Sequence, residues 1–64
     1  MPIVQIHMLE GRDINKKREL VKRMTETVQE VLGSPPHKIR IILSDMAHQN
    51  YSVAGKLYCD EDLT

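Results

Sequence analysis

The chain has 64 residues, nine lysines and arginines against nine aspartates and glutamates, and one cysteine, Cys59. A chain this short forms a single domain, which we assign to residues 1–64, and folding removes only about 60% of the surface that the unfolded chain exposes. Balanced charge argues against a nucleic-acid partner, and without a disulfide or metal-ligand spacing among Cys and His, association between copies remains as the way to complete a core.

The first predicted element is a strand over residues 2–9, because its first half is rich in β-branched residues. Alternation would place Val4, Ile6 and Met8 on one face, and Ile3, Gln5, His7 and Leu9 on the other. The second face mixes polar and apolar side chains, which favours a contact with another subunit. Gly11 then ends the strand.

Pro2 is a candidate catalytic residue at the start of this strand. A proline after the initiator Met1 favours removal of the methionine, and the freed proline would be a secondary amine with an available lone pair. Held by the strand and partly desolvated, that amine would make a good base. Proline is also common at the first position of a strand, where no ladder hydrogen bond is needed. The residue alone therefore leaves a catalytic and a structural interpretation open.

A helix is predicted from about Ile14 to Leu32, with Asp13 as its N-cap and Gly33 as the residue that ends it. Glu19 and Arg23 are spaced to form a favourable pair on its wet face. Apolar residues recur at steps of three and four and would form one apolar stripe, consisting of Leu20, Val21, Met24, Val28, Val31 and Leu32.

The first turn of the predicted helix is basic, although the helix dipole favours anions there. It carries Lys16, Lys17 and Arg18, and Arg12 lies just before it. A solvated basic face is one interpretation, and attraction of an anionic ligand is the other.

The second predicted strand covers residues 39–44 and completes a right-handed β-α-β unit with parallel strands. Arg40 is unexpected within this apolar strand because burying an unpaired guanidinium is costly. Its side chain either reaches solvent, pairs with a carboxylate or binds a ligand, and the sequence does not choose among these.

A short hairpin around Gly55 is predicted for residues 51–58, laid across a neighbouring subunit so that Tyr51 enters an interface. The tail, residues 59–64, is interpreted as frayed or dependent on a partner. No apolar run is long enough to span a bilayer and no signal-peptide pattern is present, which predicts a cytoplasmic protein without a membrane partner.

Together these features resemble the 4-oxalocrotonate tautomerase family. The resemblance extends from Pro2 to about Leu57 and includes the proline, the amphipathic helix, and the segments Leu9-Glu10-Gly11-Arg12, Ile39-Arg40-Ile41-Ile42, Asp45-Met46 and Tyr51 with Gly55. It implies an α/β fold, a β-α-β unit with parallel strands and a short C-terminal β-hairpin. It also implies dimers that assemble into a hexamer, with active sites shared between subunits.

The resemblance assigns a role to each candidate site residue. Pro2 corresponds to the family's general base, and Arg12 and Arg40 correspond to its two carboxylate-binding arginines. Leu9 corresponds to its apolar pocket residue, and Tyr51 to the aromatic residue that forms a wall of the pocket. The best-known members have phenylalanine at the last position, so the tyrosine is a departure, and its added hydroxyl either contacts a polar group of the substrate or crowds the pocket. The acidic tail is a second departure, from those members that end with basic residues.

The implied reaction is enol–keto proton transfer in a carboxylate-bearing enol, a 2-hydroxy-dienoate such as 2-hydroxymuconate from aromatic degradation. Pro2 would take the hydroxyl proton and deliver it to carbon. Arg40 would stabilise charge on the oxygen and act as a second catalytic residue, while Arg12 would hold the distal carboxylate. We predict neither a metal nor a cofactor.

Three alternatives remain. In the first, this protein is a promiscuous relative of the family that acts on another enol, or on an unsaturated acid as hydratases and dehalogenases do. Hydratases and dehalogenases need a carboxylate to activate water, at a position where this chain has Val53. In the second, the protein is a non-catalytic oligomeric binding module, such as a DNA binder. A DNA binder requires net positive charge, whereas the formal net charge of this chain is zero. His7, His37 and His48 are interpreted as surface or interface residues.

Overall fold

The computed structural model describes residues 1–60, and the prediction made for the tail falls partly outside them, at residues 61–64. The elements are strand β1, helix α1, strand β2 and a hairpin of strands β3 and β4, and their bounds are Ile3–Leu9, Ile14–Leu32, Arg40–Met46, Ser52–Val53 and Lys56–Leu57. Single 3₁₀ turns lie at Pro36–Lys38, His48–Asn50 and Tyr58–Asp60. The predicted α/β class, with parallel strands and a C-terminal hairpin, is confirmed.

Strands β1 and β2 form a parallel pair in which Ile3 lies opposite Arg40 and Leu9 opposite Met46. The second strand begins one residue later than predicted, because Ile39 closes the preceding 3₁₀ turn by donating its N–H to the carbonyl of Pro36 at 3.1 Å. It also continues beyond the predicted residue 44 to Met46, since β1 offers partners along its whole length.

The predicted ends of α1 are confirmed. The carboxylate of Asp13 accepts the N–H of Lys16 at 2.8 Å, which satisfies one of the donors left free at a helix start. Gly33 adopts φ 72° and donates its N–H to the carbonyl of Gln29 at 2.9 Å. A side chain there would be strained, so glycine suits this position. Glu19 accepts a hydrogen bond from Arg23 at 2.6 Å, as the spacing predicts.

The apolar stripe of α1 is buried along only part of its length in the subunit. Its first four members, Leu20, Val21, Met24 and Val28, are half-buried. Its last two members, Val31 and Leu32, keep 75% and 63% of their surface exposed in the subunit. The helix has 19 residues, about 28 Å at 1.5 Å per residue, and each strand has seven, about 23 Å. The last turn of α1 therefore extends beyond the sheet that the stripe covers.

A single subunit leaves much apolar surface open. Among residues 1–60, Ile39 is the one buried apolar side chain, with 8% exposure. On the face of the sheet opposite α1, Ile3 is 60% and Ile42 is 48% exposed. The accessible surface is 5083 Å², against about 4,200 Å² for a compact protein of this mass. The radius of gyration is 14.9 Å, against about 11 Å for a compact domain of this length.

Helix α1 carries charged side chains on its exposed surface. No helix within residues 1–60 combines the length and the apolar composition that crossing a bilayer requires.

Candidate active site

The predicted site residues lie in three separate places in one subunit. Pro2 and Arg40 are at the start of the parallel pair, Leu9 and Arg12 are at its other end, and Tyr51 is on the C-terminal arm, residues 47–60. From Ile3 to Leu9 the strand spans about 20 Å at roughly 3.3 Å per residue. One subunit therefore brings together only pairs of the predicted residues.

Pro2 and Arg40 are neighbours across the first rung of the sheet. The N–H of Arg40 donates to the carbonyl of Pro2 at 3.0 Å, so the backbones of the two residues are joined directly. Pro2 is half-buried, whereas Met1 before it is 75% exposed. With Met1 attached, the nitrogen of Pro2 belongs to a peptide bond and carries no basic lone pair.

The guanidinium of Arg40 resolves one of the questions raised by the sequence. Its side chain is exposed, and Nη1 donates to the carbonyl of His37 at 2.7 Å. Within residues 1–60, no carboxylate pairs with it. A guanidinium has five N–H donors, so one bond to a carbonyl leaves others able to bind an anion. Of the three interpretations, pairing with a carboxylate of the same subunit is excluded for the described residues.

At the opposite end of β1, the chain turns sharply before Arg12. Gly11 has φ 117°, a backbone conformation that strains other residues, so the turn that presents Arg12 depends on this glycine. Leu9 alternates with Met8 and therefore faces away from α1. The two predicted substrate-binding residues at this end thus share an end of the strand but start from opposite sides of the sheet.

A hollow of about 210 Å³ lies under this end of β1, and it is lined by Met8, Arg12, Lys16, Lys17 and Leu20. Lys17 is half-buried and forms an ion pair with Asp45 of β2. The sequence analysis missed this pair, because it connects residues 28 positions apart. The parallel register of the strands could have indicated the pair. Asp45 lies opposite Met8, so both side chains point from the sheet toward α1, which carries Lys17.

Tyr51 is held in the C-terminal arm by a second tyrosine that the sequence analysis missed. The N–H of Tyr58 donates to the carbonyl of Tyr51 at 2.7 Å, and their ring centroids are 6.0 Å apart. The ring of His48 meets Tyr58 edge-on at 5.1 Å. Tyr58 is half-buried while Tyr51 is 39% exposed, so Tyr58 is the anchor of this cluster. The two tyrosines are the only Phe, Trp or Tyr residues in the chain, and their places on either side of a hairpin could have indicated the contact.

The turn of this hairpin brings the two tyrosines together. Ala54 and Gly55 have φ values of 54° and 81°, the pair of positive angles that a tight two-residue hairpin turn requires.

Among residues 1–60, no three His, Cys, Asp or Glu side chains lie close enough together to hold a metal ion.

Comparison with known proteins identifies the family. Residues 2–60 match a protein-family model described as tautomerase enzyme. The chain belongs to the tautomerase family. This confirms the resemblance inferred from the proline, the arginines and the helix between them.

Two relatives are similar to this chain over almost their whole length. A probable tautomerase from Halalkalibacterium halodurans is 46% identical over 61 residues, covering 95% of this chain and 100% of that protein. The 2-hydroxymuconate tautomerase of Bacillus subtilis is 43% identical over 60 residues, covering 94% of this chain and 97% of that protein.

Solved structures of tautomerases have the same fold. A homologue of 4-oxalocrotonate tautomerase superposes with a TM-score of 0.91 at 38% identity, covering 95% of this chain and 97% of that chain. A heterohexameric 4-oxalocrotonate tautomerase from Chloroflexus aurantiacus superposes with a TM-score of 0.86 at 25% identity, covering 94% and 97%. The roles of the individual site residues stay predictions.

The tyrosine cluster generates the first prediction. Tyr58→Leu should loosen the arm, because ring pairs of this kind contribute about 0.5–1.5 kcal/mol beyond the area they bury. We expect amide hydrogen exchange in residues 51–58 to become several-fold faster. Tyr58→Phe keeps the ring contacts and is the matched control, which should exchange like the unmodified protein. Equal protection in all three proteins would show that the rings do not hold Tyr51.

Proposed function

We propose that this protein catalyses the enol–keto tautomerisation of a 2-hydroxy-dienoate such as 2-hydroxymuconate, with the amine of Pro2 as base and acid after removal of Met1. The observation that carries the proposal is the direct backbone bond between Pro2 and Arg40, which joins a half-buried proline to a strand residue whose guanidinium is exposed. Membership of the tautomerase family and 43% identity to a 2-hydroxymuconate tautomerase support the choice of reaction.

The proposed active site needs more than one subunit. Since β1 separates Pro2 from Arg12 by its own length, the two cannot act on one small substrate within a single chain. Within residues 1–60, β1 pairs only with β2, so its other edge is open to a second strand. Antiparallel pairing with β1 of a second copy would place Pro2 of one chain near Leu9 and Arg12 of the other. Such an interface is two-fold symmetric and therefore forms two identical sites.

Further association of these dimers would cover the face of the sheet that carries Ile3 and Ile42. We propose a homohexamer, in agreement with the resemblance and with the six-chain assembly of the Chloroflexus aurantiacus relative. Arg40 starts on this same outer face, as the register shows by pairing it with Ile3. Its guanidinium can therefore act in a site of its own chain or in one formed by a neighbouring dimer.

The proposed chemistry is one proton transferred in two steps. The neutral amine of Pro2 takes the hydroxyl proton of the enol, and the freed electron pair forms the carbonyl while the diene shifts. The diene carbon farthest from the hydroxyl then takes the proton back from the prolinium. Arg40 stabilises the negative charge that develops on oxygen, and Arg12 holds the distal carboxylate in a guanidinium fork. Leu9 and Tyr51 provide walls for the carbon chain.

The amine of Pro2 predicts a specific pH dependence. Only the neutral amine accepts a proton, so kcat/KM should rise with pH through one ionisation and then level off. Partial burial and nearby cations disfavour the protonated form, which should place the pKa of the amine below the ~8 of a free α-amino group. Conversion followed by absorbance, on protein whose start has been verified by mass, measures this profile.

Two variants control for this mechanism. Protein that retains Met1 should be folded but inactive, because its proline nitrogen is an amide. Pro2→Ala keeps an amine on a looser chain end, so kcat should fall about 10- to 100-fold, less than the largest losses of acid–base catalysis. Full activity in a homogeneous preparation that retains Met1 would refute the proline mechanism.

The two arginines should affect different kinetic constants. Arg12→Ala removes a contact that is similar in ground and transition states, so KM should rise with little change in kcat. Arg40→Ala removes charge stabilisation that develops during the reaction, so kcat should fall about 100-fold. Arg23→Ala is the matched control on the exposed face of α1. If both site variants behave like this control in steady-state kinetics on 2-hydroxymuconate, the arginines are bystanders.

The assembly can be measured directly. Light scattering or native mass spectrometry at micromolar concentration should give the mass of six copies of the 7.4 kDa chain. Ile42→Glu puts a charge on the open face of the sheet and should lower this mass by blocking contacts between dimers. Lys22→Glu, on the exposed side of α1, should leave it unchanged. A monomeric mass for the unmodified protein would contradict the shared site.

A further inference from the structure

The hollow under the end of β1 has a mainly apolar lining, although three of its five residues are cationic. Met8 and Leu20 are its apolar residues, and Arg12, Lys16 and Lys17, here called the rim, line it mostly with the carbon atoms of their side chains. This combination suits a ligand with a short hydrocarbon part and an anionic end, because the carbons gain burial and the charge gains several donors. Arg12 already has a proposed role, whereas Lys16 has none.

The three cations of the rim are not equivalent. Lys17 is neutralised by Asp45. Neither Arg12 nor the ammonium of Lys16 has a carboxylate partner among residues 1–60. The nearby carboxylate of Asp13 accepts the backbone N–H of Lys16 as the cap of α1. Two uncompensated positive charges therefore border one hollow.

The fold gives no other reason for a lysine at this position. A cation in the first turn of a helix is unfavourable because the helix dipole already places positive charge there. Lys17 is compensated by its ion pair, and Arg18 by a hydrogen bond to the side-chain oxygen of Asn15 at 3.1 Å. Within the described residues, Lys16 gains no such contact. Local rules are most often broken where function requires it.

We propose that Lys16 is a second cationic contact, beside Arg12, for the distal carboxylate of the substrate, and that it selects dicarboxylate enols over monocarboxylate ones. The proposal rests on the proposed tautomerase function. Arg12 binds two oxygens in the plane of its guanidinium, and the ammonium of Lys16 adds a point charge that needs no fixed geometry. An enol without the distal carboxylate offers these two cations nothing to bind.

The test compares two substrates that share the reacting end. One is 2-hydroxymuconate, and the other is 2-hydroxypenta-2,4-dienoate, which lacks the distal carboxylate. Lys16→Gln should raise KM for the dicarboxylate about 5- to 20-fold, as expected for one charged hydrogen bond in a partly exposed site, with kcat unchanged. The monocarboxylate should be turned over as before. Lys16→Arg should restore the dicarboxylate KM to within about threefold.

Lys22→Gln removes the same charge from an exposed position further along α1, and it controls for general attraction of anions. The role of Lys16 would be overturned if Lys16→Gln and Lys22→Gln had equal KM values, or if Lys16→Gln changed KM equally for both substrates. Either result would leave the tautomerase proposal intact.

Direct binding separates this proposal from the reaction itself. Adipate, a six-carbon diacid that cannot react, should bind Lys16→Gln at least fivefold more weakly than Lys22→Gln by calorimetry. If the unmodified protein converts neither enol, the proposed reaction fails, and the adipate measurement alone then decides the dicarboxylate site. Equal adipate affinity in the two variants would overturn it.

Discussion

The length of strand β1 is the constraint on which the rest of the molecule depends. Its seven residues span about 20 Å and separate Pro2 from the turn that carries Arg12, a distance that no side chain in the subunit bridges. The other edge of β1 is open, and it can pair with β1 of a second copy that runs in the opposite direction. A two-fold axis is the simplest symmetry operation that brings the start of one strand beside the end of the other. The proposed shared site thus follows from strand length and symmetry.

Incomplete burial and an incomplete site have the same origin. A subunit of 64 residues with one buried apolar side chain among those described does not bring the predicted site residues into one pocket. Its outer sheet face, which carries Ile42, also carries Arg40, so contacts that would bury the apolar surface would bring an arginine into an enclosed space. In the proposed assembly, association stabilises the fold and forms the site with the same interfaces.

The sequence predicted what is decided locally or by chain topology. Asp13 and Gly33 marked the ends of α1 because capping depends on a few adjacent residues, and a strand, helix and strand in this order have few alternatives to a parallel pair. It did not predict the exposure of Val31, the ion pair of Lys17 or the anchoring role of Tyr58. Each of these depends on where distant elements end in space. The site residues and the sharing of sites between subunits came from family resemblance, and the register of the strands then showed that Pro2 and Arg40 lie at one end of the sheet.

The distribution of charge explains how a chain of zero formal charge can present cationic sites. Two of its carboxylates, Glu19 and Asp45, pair with cations on or beside α1, and the carboxylate of Asp13 is engaged in capping. Within residues 1–60 this leaves Arg12 and Arg40 without carboxylate partners, one at each end of β1. A pairing that reverses the strand would bring unpaired cations of two chains around one space. Such an arrangement is costly without an anion and favourable with one, so binding of a carboxylate substrate would also stabilise the assembly.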